Sequence, residues 1–330
     1  MAEIVGLHAT TPADYATAVD RYLAAAGINQ ASKRVYRIGL ATWAWLLDGT
    51  QPLAGRARRG ATAPTNAFTI FEDPATPARL VEAFATRAAT VDADTVNREL
   101  SVLRAAISWW HGQGWLQADP TAGLERRPAP PDRTRALTRD QISALFALDV
   151  GLRDKTYWRL LYETAARAEE ILALNVEDLD LPNKRARVVS KGGTIDWVHW
   201  QSGAAALLPR LLKGRTRGPL FLTNRRAPAR TPTLDVCPFT SRARLSYRRA
   251  AELFTQATRP LTKYGKGWTL HQLRHSALTH EAEDGTNTPM LLARSRHASV
   301  RSLERYARPG PEAIARHVAA HDPAARRRQP

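Results

Sequence analysis

Apolar residues recur at helical spacing through the first third of the chain. Tyr15, Ala18, Val19, Tyr22 and Leu23 share one helical face, and Tyr36, Leu40, Trp43 and Leu47 share another. Thr11-Pro12-Ala13-Asp14 predicts the start of the first helix, with a hydroxyl cap, a proline in the first turn and an early acid. Asp48-Gly49 ends the second. Gln51 to Pro74 carries Gly, Pro, Thr and Arg without a period and reads as a long loop. Thr76-Pro77 opens a third helix through Leu80, Val81 and Phe84. Asp94 opens a fourth, with Val96, Leu100, Leu103, Ile107 and Trp110 in register, and Gly112 and Gly114 break it.

Pro128 to Arg135 is rich in proline and charge, which marks a linker between domains. Thr138 and Gln141 then have the spacing of a capping box, and Ile142, Leu145 and Phe146 face inward behind it. The second domain reads as mostly helical. Its exception is Arg185 to Trp200, where Val188-Val189 and the alternation Ile195, Trp197, His199 predict a hairpin about Lys191-Gly192-Gly193. The expected fold is therefore mainly α with a small β-hairpin or sheet in the second domain. The expected layout is a helical domain at 1–127, a linker at 128–136, a larger domain at 137–322 and a basic, disordered tail at 323–330.

Composition narrows the partners. The 330 residues suffice for two domains, and 44% apolar content with nine tryptophans supports real cores. Against 31 Asp+Glu stand 48 Lys+Arg, a formal net charge of +17. A globular chain this basic most plausibly meets a polyanion, nucleic acid being the common one, although ribosomal and membrane-surface proteins share the trait. The single cysteine, Cys237, can form neither an internal disulfide nor a cysteine-based zinc site, which suits a reducing compartment. No stretch approaches the roughly 18 apolar residues of a membrane helix, and Met1 to Ala9 lacks the pattern of a secretory signal. A soluble, cytoplasmic, nucleoid-associated protein is expected.

The candidate chemistry lies in the second domain. Phosphodiester transfer adds charge to the non-bridging oxygens, and two planar guanidiniums can hold that charge without a metal. Arg167 and Arg274 are the candidates. His271, Arg274 and His275 follow at i, i+3 and i+4, on one helical face, where an imidazole can serve a phosphate near neutral pH. The same residues could be a polar helix face beside Leu270, Leu273 and Leu278. Metal binding by His271 and His275 is disfavoured by the charge of Arg274 between them. Tyr306 can act as a nucleophile, storing the bond energy in a phosphotyrosine.

Thr164-Ala165-Ala166-Arg167-Ala168-Glu169-Glu170-Ile171, His271-Gln272-Leu273-Arg274-His275 and the stretch from Ala293 to Tyr306, read in that order, resemble the boxes of the tyrosine recombinase (phage integrase) family. The resemblance spans about Arg139 to Arg308. It implies two domains, a helical (SAM-like) core-binding domain and a mixed catalytic one. It also implies catalytic roles for Arg167, His271, Arg274, His297 and Tyr306, with Lys191 on the hairpin as general acid. The implied activity is site-specific DNA recombination or integration without a cofactor or metal. It runs through a 3′-phosphotyrosyl intermediate and a Holliday junction, in a homotetramer on two paired double-stranded DNA sites, with directionality or accessory factors as further partners. Arg98 and Arg104 in the first domain, and Arg242, Arg244, Arg248 and Arg249 in the second, are candidate phosphate contacts. Two departures stand out: Ala165 and Arg296 occupy positions where the family has glycine. Two rivals stand beside this reading: a type IB topoisomerase, which uses nearly the same residues, and a non-catalytic DNA-binding relative.

Overall fold

The computed structural model describes residues 10–128, 136–189, 193–296, 299–303, 314–315, 318–319 and 322. Contacts divide the chain into two units, Met1–Pro131 and Asp132–Pro330.

The first unit is helical. Helices α1 (Tyr15–Ala25), α2 (Gln30–Leu47), α3 (Thr76–Thr90) and α4 (Ala93–Gly112) bury their apolar faces together. Helix α1 begins three residues later than Thr11-Pro12 suggests. Its cap is Asp14, whose carboxylate accepts from the Thr17 amide at 2.7 Å. Asp92, not Asp94, caps α4 in the same way through Thr95. The stretch read as a loop contributes to the core: Phe68 and Phe71, in a short 3-10 turn at Phe68–Glu72, are buried against Trp110. Three polar atoms pin these aromatic rings. Tyr15 donates to the Leu40 carbonyl at 3.0 Å, Trp43 to that of Glu99 at 3.0 Å and Trp110 to that of Ala18 at 3.2 Å. Each leaves a large buried side chain with its polar handle satisfied.

The second unit is built around α6 (Leu152–Thr164). Before it comes α5 (Arg139–Ala147), which carries the capping box of Thr138 and Gln141. After it come the short α7 (Ala168–Ala173) and an antiparallel three-stranded sheet in the order β1 (Leu179–Asp180), β2 (Arg185–Val189), β3 (Ile195–His199). Strands β2 and β3 form the expected hairpin, with Val189 paired to Ile195. Helix α8 (Ser202–Leu212) packs on α6. The buried carboxylate of Glu163 accepts from the amides of Gln201 and Ala204 at its start, at 2.8 and 3.1 Å. A two-stranded ribbon, β4 (Leu222–Arg226) with β5 (Arg242–Arg244), was not legible in the sequence. Helices α9 (Tyr247–Thr258), α10 (Leu270–Glu283), α11 (Thr288–Ser295) and α12 (Val300–Leu303) complete the described unit. The core joins Trp158, Leu161, Ile171, Val188, Val198, Leu208, Phe254 and Leu273.

Helix α10 is fixed at its entry. Gly267 has φ of 72°, and a Cβ there would lie 2.2 Å from the Thr255 carbonyl oxygen, so only glycine fits. On the other side, the Leu137 amide donates to the Ser276 hydroxyl at 2.8 Å, anchoring the segment before α5 on α10. No helix among the described residues is long and apolar enough to cross a membrane. The sequence-predicted linker and basic tail lie almost wholly outside the described residues.

Candidate active site

Arg167 sits at the N-cap of α7. The chain reaches it through a left-handed turn: α6 ends at Thr164 and Ala165 has φ of 50°. For a residue with a Cβ that conformation costs roughly 1 kcal/mol, so the turn is held by its surroundings. Glu170, one turn on, closes the start of α7. Its Oε2 accepts from the Arg167 amide at 2.9 Å and its Oε1 from Arg167 Nη1 at 2.7 Å. The carboxylate is buried, whereas the Arg167 side chain is 42% exposed. Arg167 is thus oriented from one side and open to solvent on the other, as a group that receives a phosphate needs to be.

A second left-handed turn ends α11, where Arg296 has φ of 52°. The two turns are joined by Arg274. This side chain projects from α10, is 3% exposed, and donates from Nη1 to the Ala165 carbonyl and from Nη2 to the Ser295 carbonyl, each at 2.5 Å. One guanidinium therefore fixes the turn that presents Arg167 and the turn that leads into His297. Arg294 adds a further tie, donating to the Glu163 carbonyl at 2.8 Å and pairing with Glu281.

Arg296 turns its side chain inward, where it is 7% exposed and pairs with Glu170. Glu170 thus lies between two guanidiniums. Burial pushes its carboxyl up, but the Arg296 charge and then the hydrogen bonds from Arg167 outweigh burial, and the carboxyl is held below the usual range. It is ionised at neutral pH.

The remaining motif residues divide. His271 is exposed in the first turn of α10, while His275, on the same helix, is buried and hydrogen-bonded through Nδ1 to Thr279 at 3.2 Å. Arg274 and His275 face inward together and His271 does not share their burial. Lys191, between β2 and β3, and His297 and Tyr306 lie outside the described residues. Leu303, three residues before Tyr306, is buried at the end of α12.

The candidate phosphate contacts differ in availability. Arg98, Arg242, Arg248 and Arg249 are exposed, the Arg248 side chain at 88%, although Arg248 and Arg249 both pair with Glu252. Arg104 is half-buried and donates to the carbonyls of Thr121 and Leu124. Arg244 requires a correction. Its Nη1 donates to the carbonyls of Leu172, Ala173 and Leu174, its Nη2 to Asn175, and its Nε to Asp235. Arg244 caps the C-terminus of α7, where a cation meets the last carbonyls, and is not a free phosphate ligand. Alternation along β5 puts Arg242 and Arg244 on one side of the strand, so the sequence alone offered no reason to separate them; the partners on α7 and at Asp235 do.

Comparison with known proteins gives a consistent result. A model described as the phage integrase family matches residues 135–312. The tyrosine recombinase XerC of Mycobacterium tuberculosis (strain ATCC 25177 / H37Ra) is 29% identical over 248 residues, covering 72% of this chain and 79% of that protein. The XerC of Roseiflexus castenholzii is 32% identical over 120 residues, and there the match covers 34% of this chain and 38% of the relative. Among solved structures, the Tn1549 transposon integrase in complex with a circular intermediate DNA superposes with a TM-score of 0.67. That match covers 94% of this chain and all of that one, at 13% identity, and so speaks to the fold.

Proposed function

The chain belongs to the phage integrase family and is a site-specific tyrosine recombinase; we propose that it cleaves and rejoins double-stranded DNA with Tyr306 as nucleophile and Arg167, Arg274, His271, His297 and Lys191 around the scissile phosphate. One observation carries the assignment of the site: Arg274 bonds at once to the turn before Arg167 and to the turn before His297. Ala165 and Ser295, 130 positions apart in sequence, are thereby brought to one guanidinium.

The proposed chemistry follows from the groups. The Tyr306 hydroxyl loses its proton as its oxygen attacks phosphorus, the 5′-oxygen leaves and takes up a proton in turn, and a 3′-phosphotyrosine remains. Arg167, open on one side, meets the non-bridging oxygens, and Arg274, whose Nη1 and Nη2 donate to the carbonyls of Ala165 and Ser295, adds its positive charge beside them. Lys191 protonates the leaving oxygen. The 5′-hydroxyl of a partner strand then reverses the step, so exchange through a Holliday junction conserves the number of phosphodiester bonds. We assign the exchange to a homotetramer on two paired sites in the cytoplasm, with Arg98, Arg242, Arg248 and Arg249 on DNA phosphates.

Trapping on nicked suicide duplexes tests the proposal. The nucleotides beyond the nick diffuse away, so cleavage accumulates as a denaturation-resistant adduct. Wild-type protein is expected to form that adduct in EDTA and without ATP, because guanidiniums supply the charge a metal otherwise would. Loss of the adduct in EDTA and its return with magnesium would reject the metal-free route. Absence of any adduct would favour the non-catalytic relative. Relaxation of supercoils by a monomer, without pairing of sites, would favour a topoisomerase.

Lys191→Ala is expected to cleave ordinary DNA slowly, by roughly a hundredfold or more, and to recover most of the loss when sulfur replaces the leaving 5′-oxygen. A thiolate leaves without a proton. Equal defects on the two substrates would assign Lys191 to binding instead.

A further inference from the structure

Arg296 stands in an unfavourable backbone conformation, at a position where a relative would carry glycine, yet its side chain is among the most buried charges in the second unit. A residue with a Cβ is tolerated there only if something compensates. The compensation is visible: the guanidinium reaches across from the end of α11 to Glu170 on α7. Glu170 in turn holds both the backbone and the Nη1 of Arg167. The order is Arg296, Glu170, Arg167, with the carboxylate shared between two cations.

That order has a mechanical consequence. Glu170 has two oxygens, and Arg296 occupies Oε2, the one that also accepts the Arg167 amide. Arg296 and the Arg167 amide together hold Oε2, and the other oxygen, Oε1, directs the Arg167 side chain. Without Arg296, Oε2 keeps only the Arg167 amide, and the carboxylate that directs Arg167 Nη1 loses its buried charged partner. We propose that Arg296 is a positioning residue for the recombination reaction, acting through Glu170 to aim Arg167 at the scissile phosphate and so replacing, with an ion pair, the flexibility of a glycine.

The inference rests on the phosphoryl-transfer reading above and is separable from it. Nicked suicide duplexes are drawn from a randomised library by covalent capture with wild-type protein. If wild-type protein captures none, the phosphoryl-transfer reading fails first. With a captured substrate, single-turnover cleavage at saturating DNA is compared with the dissociation constant measured by filter binding. Arg296→Gly relaxes the backbone at φ of 52° and keeps the fold. It is expected to slow cleavage roughly ten- to a hundredfold, as loss of orientation does, with DNA affinity within about twofold of wild type. Arg296→Lys, which keeps the charge, is expected to recover part of the rate. In a Glu170→Gln background, adding Arg296→Gly is expected to change the rate by less than about twofold, since the two act as one unit.

Three results would each overturn the inference. The first is Arg296→Gly cleaving at the wild-type rate. The second is the full loss persisting in the Glu170→Gln background, which would mean that Arg296 meets the DNA itself. The third is Arg296→Lys doing no better than Arg296→Gly. The comparison of Lys with Gly stands alone should Glu170→Gln fail to fold.

Discussion

Tyr306→Phe is expected to abolish covalent attachment to DNA while leaving noncovalent binding nearly intact. The substitution removes one oxygen and keeps the ring, so packing changes little and the nucleophile is gone. No neighbouring hydroxyl in the motif can stand in: Ser299 and Ser302 are seven and four residues upstream, and phosphoryl transfer demands in-line attack from one fixed direction. The expected reading is the absence of a denaturation-resistant band on a nicked suicide duplex, alongside a mobility shift of near wild-type affinity. A persisting adduct would move the nucleophile elsewhere in the chain. A lost shift would make Tyr306 a binding residue.

The residues proposed to carry this chemistry stood out in the sequence because their motifs are local. Arg167 to Glu170 and His271 to His275 each fit within one or two helical turns, and both are seen on helices, at the start of α7 and along α10. Helices α2 and α4 were legible for the same reason, since their apolar faces repeat over several turns. Phe68 and Phe71 were not, because a five-residue 3-10 turn is too short to show a period, and polar residues surround it.

Charge was the harder signal. Composition reveals how many arginines there are and not which way each points. Arg244 and Arg248 look alike in sequence, yet one is consumed by the carbonyls ending α7 and the other is almost wholly in solvent. Arg274 had a similar surprise. Its place in the motif implied a phosphate ligand, but its contacts to two carbonyls over a hundred and over twenty residues away depend on how α6, α10 and α11 pack. The departures from glycine at Ala165 and Arg296 were visible as letters. Their meaning required the backbone angles, which show both in the left-handed region on either side of Arg274.

That arrangement leads to a paired expectation for the two arginines. Arg167→Ala and Arg274→Ala should each slow cleavage by two or more orders of magnitude, since losing one charged donor to the transition state costs about 3 kcal/mol or more. Their effects on stability should separate them. Arg167 is 42% exposed, and its removal leaves Glu170 paired with Arg296 and the turn at Ala165 still held by Arg274. A loss within about 1 kcal/mol is expected there. Arg274 is buried, and its removal leaves the carbonyls of Ala165 and Ser295 without the donor that joins them, beside a cavity the size of an arginine side chain. A loss of about 3 kcal/mol or more is expected, read as a lower midpoint in urea at unchanged slope. Near wild-type cleavage by either variant would reject its place at the phosphate. Equal urea midpoints for the two variants would show that Arg274 does not hold the turns together, and the shared locality of the Ala165 and Ser295 turns would need another cause.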